Sequence, residues 1–230
     1  MESIGSWLAQ LQLDQLWDLL VAVGSCLLCI SFHETCHGLV AYWMGDRTAK
    51  DAGRLTLNPL KHIDLFGLVM MAVAKFGWAK PVPVNMNRFS NPKLGMALTA
   101  LAGPMSNILL AWVAMVLYYV AAFFCYVYEG ALMYYIQLFF LYTAVLSAGL
   151  AIFNLFPIPP LDGSKVLFAL IPDTWYAKLM RYERYGMILL MALLLTGVLD
   201  GPLNAARQWL FNLLQPVSQW PFDLLQRIYF

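Results

Sequence analysis

Two histidines and a glutamate interrupt an otherwise apolar stretch, ISFHETCHGLVAYWMG, at residues 30–45. His33, Glu34 and His37 form H-E-x-x-H, and on a helix the i, i+4 spacing sets both imidazoles on one face with the carboxylate beside them. Two neutral imidazoles suit Zn2+, and the neighbouring carboxylate can take a proton from water whose pKa the metal lowers toward about 7. Ionisable groups inside an apolar span are expensive and mark function, which weighs against two histidines merely satisfied by neighbouring helices.

A catalytic zinc keeps one position open and needs a third protein ligand. The remaining histidine is His62, in LNPLKHIDLFG, so the inventory leaves a choice between His62 and a carboxylate. Asp162, in NLFPIPPLDGSKV, is the best carboxylate: it lies just past the inner end of an apolar run, and His33, about 16 residues or roughly 24 Å along the first run, reaches a similar depth. Pro157, Pro159 and Pro160 stiffen the approach, and Gly163 permits close backbone passage.

These residues have to be positioned by elements that cross a membrane. With 61% hydrophobic and 12% charged residues, the chain departs far from soluble proteins, which average about 25% charged. Apolar runs cover residues 17–44, 94–128 and 131–156, each beyond the roughly 20 residues a crossing needs. A fourth, 186–199, is short and crosses only if it continues through Leu203; the tail after it reads as interfacial helix pieces. The expected fold is an all-α polytopic membrane protein of about four transmembrane helices. One domain over 1–230 is expected, with its core at 17–165 and a C-terminal helix and interfacial tail at 166–230.

Residues 1–44 hold no lysine or arginine, the 45–93 connection holds eight, 157–185 four and the tail two. Cytoplasmic loops carry the basic excess, so both long connections face the cytoplasm and the termini lie outside. The first basic residue is Arg47, which leaves no positive region for a cleavable signal. Within the first connection, DLFGLVMMAVAKFGWAKPVPVN is too short to cross and is punctuated by proline, which predicts a re-entrant β-hairpin between the first and second helices. Its exposed edge could pair with an extended peptide. A net charge of +1 argues against a nucleic-acid partner. The four cysteines sit in apolar segments, as small buried hydrophobes rather than a disulfide framework.

HETCHG (33–38), DAGRLTLNPLKHID (51–64), FGWAKPVPVN (76–85), AGPMSN (102–107) and FNLFPIPPLDG (153–163) occur in an order and spacing that resemble the site-2 proteases, the intramembrane zinc metalloproteases, in a compact form without a PDZ or CBS domain. The resemblance implies one Zn2+ per chain held by His33, His37 and Asp162, with Glu34 as general base and acid. It implies that Asn154 hydrogen-bonds the substrate backbone or the developing oxyanion, and that His62 lies outside the ligand set. Asn107 matches the G-P-x-x-N element and is expected near substrate. Gly77, Val82, Pro83 and Val84 are expected to present the substrate as a strand. The implied activity is hydrolysis of peptide bonds in transmembrane protein or peptide substrates within a lipid bilayer. The expected location is the bacterial inner membrane, with the site toward the cytoplasm. The alternative is a non-catalytic, metal-stabilised membrane protein that binds a partner helix; an intact Glu34 speaks against it, because a structural zinc needs no base. A protease with a glutamate as third ligand is disfavoured, since downstream of the motif only Glu129 and Glu183 remain.

Overall fold

A computed structural model describes residues 13–67, 69, 79–128, 130–172 and 185–229. Among the described residues three helices are long and apolar enough to cross a membrane: α1 (Leu13–Trp43), α3 (Pro92–Val127) and α4 (Ala131–Leu155). Their limits follow the apolar runs closely, because in lipid every backbone group must be satisfied within its own helix. Among the described residues a one-turn helix α2 (Thr48–Asp51) follows α1.

The start of α3 is specified locally. The Asn91 side chain accepts from the Leu94 amide and Pro92 occupies the first turn, where its missing N–H costs nothing. Along α3 the small or compact residues Ala97, Ala100, Pro104, Asn107, Ala111 and Ala114 recur every three or four positions and are buried. Helix α4 answers with Ala144, Ser147, Ala148 and Ala151. Small side chains let helix backbones approach in lipid, where packing rather than hydrophobicity drives association. Polar ties fix the register: Ser25 Oγ of α1 donates to Phe139 O at 3.1 Å, and Ser147 Oγ of α4 donates to Asn107 O at 2.9 Å.

Beyond α4 the chain turns through its prolines into α5 (Asp162–Ala169). A Cβ on Gly163 would overlap the carbonyl groups of Leu155 and Phe156, so glycine is what allows α5 to start against the end of α4. Further on, α6 (Tyr185–Leu195) is bent by 85° from the helices that follow, α7 (Asp200–Ser218) and α8 (Trp220–Tyr229). Gly197, at φ +69°, lies in the break between them. Leu203, Leu210 and Leu214 of α7 pack against α3 and α4, so this tail joins the helical core.

The expected β-hairpin is not supported among the described residues, and positions 68 and 70–78 of its segment lie outside them. The described residues contain no strand; Ile63 and Ala79 form an isolated antiparallel bridge, and Lys80 N donates to His62 O at 2.9 Å. Gly77 lies outside the described residues. The physical reason is visible at 80–85: Pro81 and Pro83 have no N–H to give a ladder, while the Val82 and Asn85 amides donate to the side chains of Glu34 and Asp46. The segment is strapped to side chains.

Candidate metal centre

Successive turns of α1 present His33 and His37, and their Nε2 atoms lie 2.9 Å apart. The first residue of α5, Asp162, brings Oδ2 to 3.2 Å from His33 Nε2 and 3.1 Å from His37 Nε2. All three residues are buried. Donors at about 2.0–2.1 Å from a tetrahedral zinc are separated by roughly 3.3 Å, close to these spacings. The donor chemistry fits as well. His37 Nδ1 lies 2.6 Å from Thr99 O, an acceptor only, so its proton resides on Nδ1 and the Nε2 lone pair faces the cluster. Two imidazole lone pairs and a carboxylate oxygen converging away from water are a donor set for a cation.

Asp162 is buried, which opposes its charge, and the nearby Lys165 favours that charge. Lys165 Nζ stands 3.7 Å from Oδ1, the oxygen turned away from the histidines. The carboxylate therefore divides its duties between the cluster and a lysine.

The helix behind the histidines leaves room for them at one residue. A Cβ on Gly103 of α3 would overlap the rings of both His33 and His37. Asn107, one turn further on and fully buried, places Nδ2 3.3 Å from His33 Nδ1. Sequence reading assigned Asn107 to substrate; in the fold it lies against a histidine.

Glu34 is half-buried, and its Oε2 accepts from Val82 N at 2.9 Å. The strap carrying that amide is fastened at further points. Arg54 is buried and donates from Nη2 to Lys80 O at 2.6 Å and to Pro81 O at 3.3 Å. Asp46, fully buried, accepts from Asn85 N at 2.6 Å and from Thr48 N at 3.0 Å. Gly38 lets the strap approach α1, since a Cβ there would come within 3.1 Å of Val82. Val82 is buried, Val84 half-buried and Pro83 exposed.

Two of the singled-out residues stand outside the cluster. His62 is buried with Nε2 2.8 Å from Thr56 O. Asn154, near the end of α4, donates from Nδ2 to Leu150 O at 2.9 Å, which leaves its other amide proton. Sequence reasoning missed Thr99, Gly103, Asp46 and Arg54. Thr99 acts through its carbonyl, for which residue type carries no signal; Gly103 stood inside a motif whose spacing alone could have placed it on a packed face.

The profile described as Peptidase family M50 matches residues 122–197, the part that contains Asp162 and Asn154. YwhC of Bacillus subtilis, named as a candidate zinc metalloprotease, is 40% identical over 198 residues, covering 84% of this chain and 90% of its own length. Rip2 of Mycolicibacterium smegmatis, named likewise, is 28% identical over 209 residues, covering 89% of this chain and 73% of its own. MJ0611 of Methanocaldococcus jannaschii, also so named, is 32% identical over 149 residues, covering 64% and 68%. No solved structure matches the chain.

Proposed function

The chain belongs to peptidase family M50, as a membrane-embedded zinc metalloprotease acting on protein substrates, and from that premise we propose that it cleaves peptide bonds within transmembrane segments of other membrane proteins. The observation that carries the proposal is the meeting of His33 Nε2, His37 Nε2 and Asp162 Oδ2 beside Glu34, in a bundle of helices long and apolar enough to cross a membrane. His33, His37 and Asp162 would hold the metal. Zinc, when bound, supplies Lewis-acid polarisation of the scissile carbonyl and acidifies water.

Glu34 moves the protons. With Oε2 held by the Val82 amide, Oε1 takes the proton from the attacking water and returns it to the leaving amine. Asn154 offers its second amide proton to the developing oxyanion. The strap at Val82, Pro83 and Val84 presents the substrate, a role the sequence also suggests for Gly77, and the substrate must unwind because a helical carbonyl is already hydrogen-bonded. Chain 1–230 acts as one domain with its core at 17–165, in a bacterial inner membrane, with the site toward the basic cytoplasmic connections. The non-catalytic alternative is not favoured: holding a partner helix has no use for a base beside an open metal position.

Purified protein incubated with a model transmembrane substrate tests this. Wild type should contain about one zinc and cleave; Glu34→Gln should keep zinc and lose cleavage. Cleavage at the wild-type rate by Glu34→Gln would sink the mechanism.

A further inference from the structure

Resting on the zinc reading above, we propose that Asn107 is a positioning residue, whose carboxamide oxygen accepts the Nδ1 proton of His33 and so fixes the tautomer in which Nε2 can bind metal. His33 Nε2 faces His37 Nε2 at 2.9 Å and Asp162 Oδ2 at 3.2 Å, so this is the nitrogen that must present a lone pair. A neutral imidazole carries one proton, which then resides on Nδ1. That atom meets the Asn107 carboxamide at 3.3 Å, and Asn107 is fully buried.

With Nδ2 turned to the ring, the Asn107 carboxamide oxygen is left buried without a hydrogen-bond partner. Half a turn about the last side-chain bond exchanges the two ends of the amide without changing its shape, and brings the acceptor onto Nδ1. The backbone of Asn107 is held in place by the Ser147 hydroxyl at 2.9 Å. His37 obeys the same rule, its Nδ1 donating to Thr99 O at 2.6 Å. Thr99, Gly103 and Asn107 stand at i, i+4 and i+8 on one face of α3, so a single stripe supplies an acceptor for each histidine and, between them, the space for both rings. The H-E-x-x-H face of α1 thus has a matching face on α3, and the second helix of the pair sets which nitrogen of each ring is free.

The test is zinc affinity, measured by chelator competition on the detergent-purified full chain, with the absorption spectrum of the cobalt(II) form as a second readout. Asn107→Leu, which removes the acceptor at similar volume, should weaken zinc binding by about 10–100-fold, the usual effect of losing such a partner. Asn107→Asp, which can only accept, should hold zinc within a few-fold of wild type and keep the cobalt spectrum. A role for Asn107 as a donor predicts the reverse for the aspartate, because a carboxylate would then face a lone pair. Loss of zinc by Asn107→Asp, or unchanged affinity in Asn107→Leu, overturns the proposal while leaving the protease reading intact. Wild type without zinc overturns both.

Discussion

At the scale of single residues, the ligand set depends on one missing methyl group. Gly103 sits where any Cβ would overlap the His33 and His37 rings, whereas Gly149 on α4 has no such neighbour within 4 Å. Alanine is the better helix former by about 1 kcal/mol, so propensity alone predicts that both glycine-to-alanine changes stabilise. The packing reverses this for Gly103. Gly103→Ala should lose most of the bound zinc by elemental analysis while the chain remains helical; Gly149→Ala should keep it, and equal zinc in the two variants would show that α3 does not set the histidine positions. His33→Ala, His37→Ala and Asp162→Ala should each abolish zinc binding, and His62→Ala should retain it, its Nε2 being taken up by Thr56 O. This part of the site was legible in sequence because the i, i+4 spacing carries its own geometry and the ligand inventory was short. Asn107 was legible as a residue but not in its contacts, since which neighbour a buried amide addresses is decided by helix packing.

At the scale of elements, the three long helices were legible almost to their ends, while the connection at 45–91 and the packing of the tail against α3 and α4 were not. Hydropathy is a property of composition, and three apolar runs leave the backbone no other solution in lipid. The connection is held instead by individual side chains reaching backbone groups: Asp46 to Asn85 and Thr48, Arg54 to Lys80 and Pro81, Glu34 to Val82. No periodicity announces such bonds. Burial raises the Asp46 carboxyl, but the amide bonds from Asn85 and Thr48, the Thr48 hydroxyl and the charge of Arg88 outweigh it and hold the group below its ordinary value. A group lowered in the folded state stabilises fully above its unfolded pKa of about 3.9 and loses that contribution as pH falls through the folded value. Hydrogen-exchange protection of the Asn85 amide should therefore be flat from neutral pH down to about 4 and decline only below it. Asp46→Ala should abolish that protection at every pH, at a cost of about 1–3 kcal/mol for each buried donor left unpaired, and should slow cleavage through the strap without removing zinc. Unchanged Asn85 protection in Asp46→Ala would show that the strap is held elsewhere.

At the scale of the whole molecule, the open question of path is where the chain makes its last crossing. The described part of α6, Tyr185–Leu195, covers about 16 Å, less than a hydrocarbon core of about 30 Å. The pair α7 and α8 runs from 200 to 229, roughly 45 Å if straight, which exceeds it. Its neighbours change in order along α3: Leu203 packs beside Phe156 at the inner end of α4, Phe211 and Leu214 against Ala114 and Ala144, Phe222 against Phe123, and Tyr229 reaches Tyr128 at the far end. Window hydropathy passes over this element because its faces differ. Leu203, Leu210 and Leu214 face the core, while Asn204, Gln208 and Asn212 are exposed, and averaging the two faces lowers the window value. The basic-residue count, blind to helical faces, independently predicts an outer C-terminus. We therefore predict that a cysteine at Ile228, which is 70% exposed, reacts with a membrane-impermeant reagent from the same side as one at Gly130. Cysteines at Arg88 and at Leu170, which is 81% exposed, should react only from the opposite side. Labelling of Ile228 together with Arg88 would mean that α7 and α8 turn back to lie along the inner surface, and that the apolar faces of α3 and α4 meet lipid where Leu210 now packs.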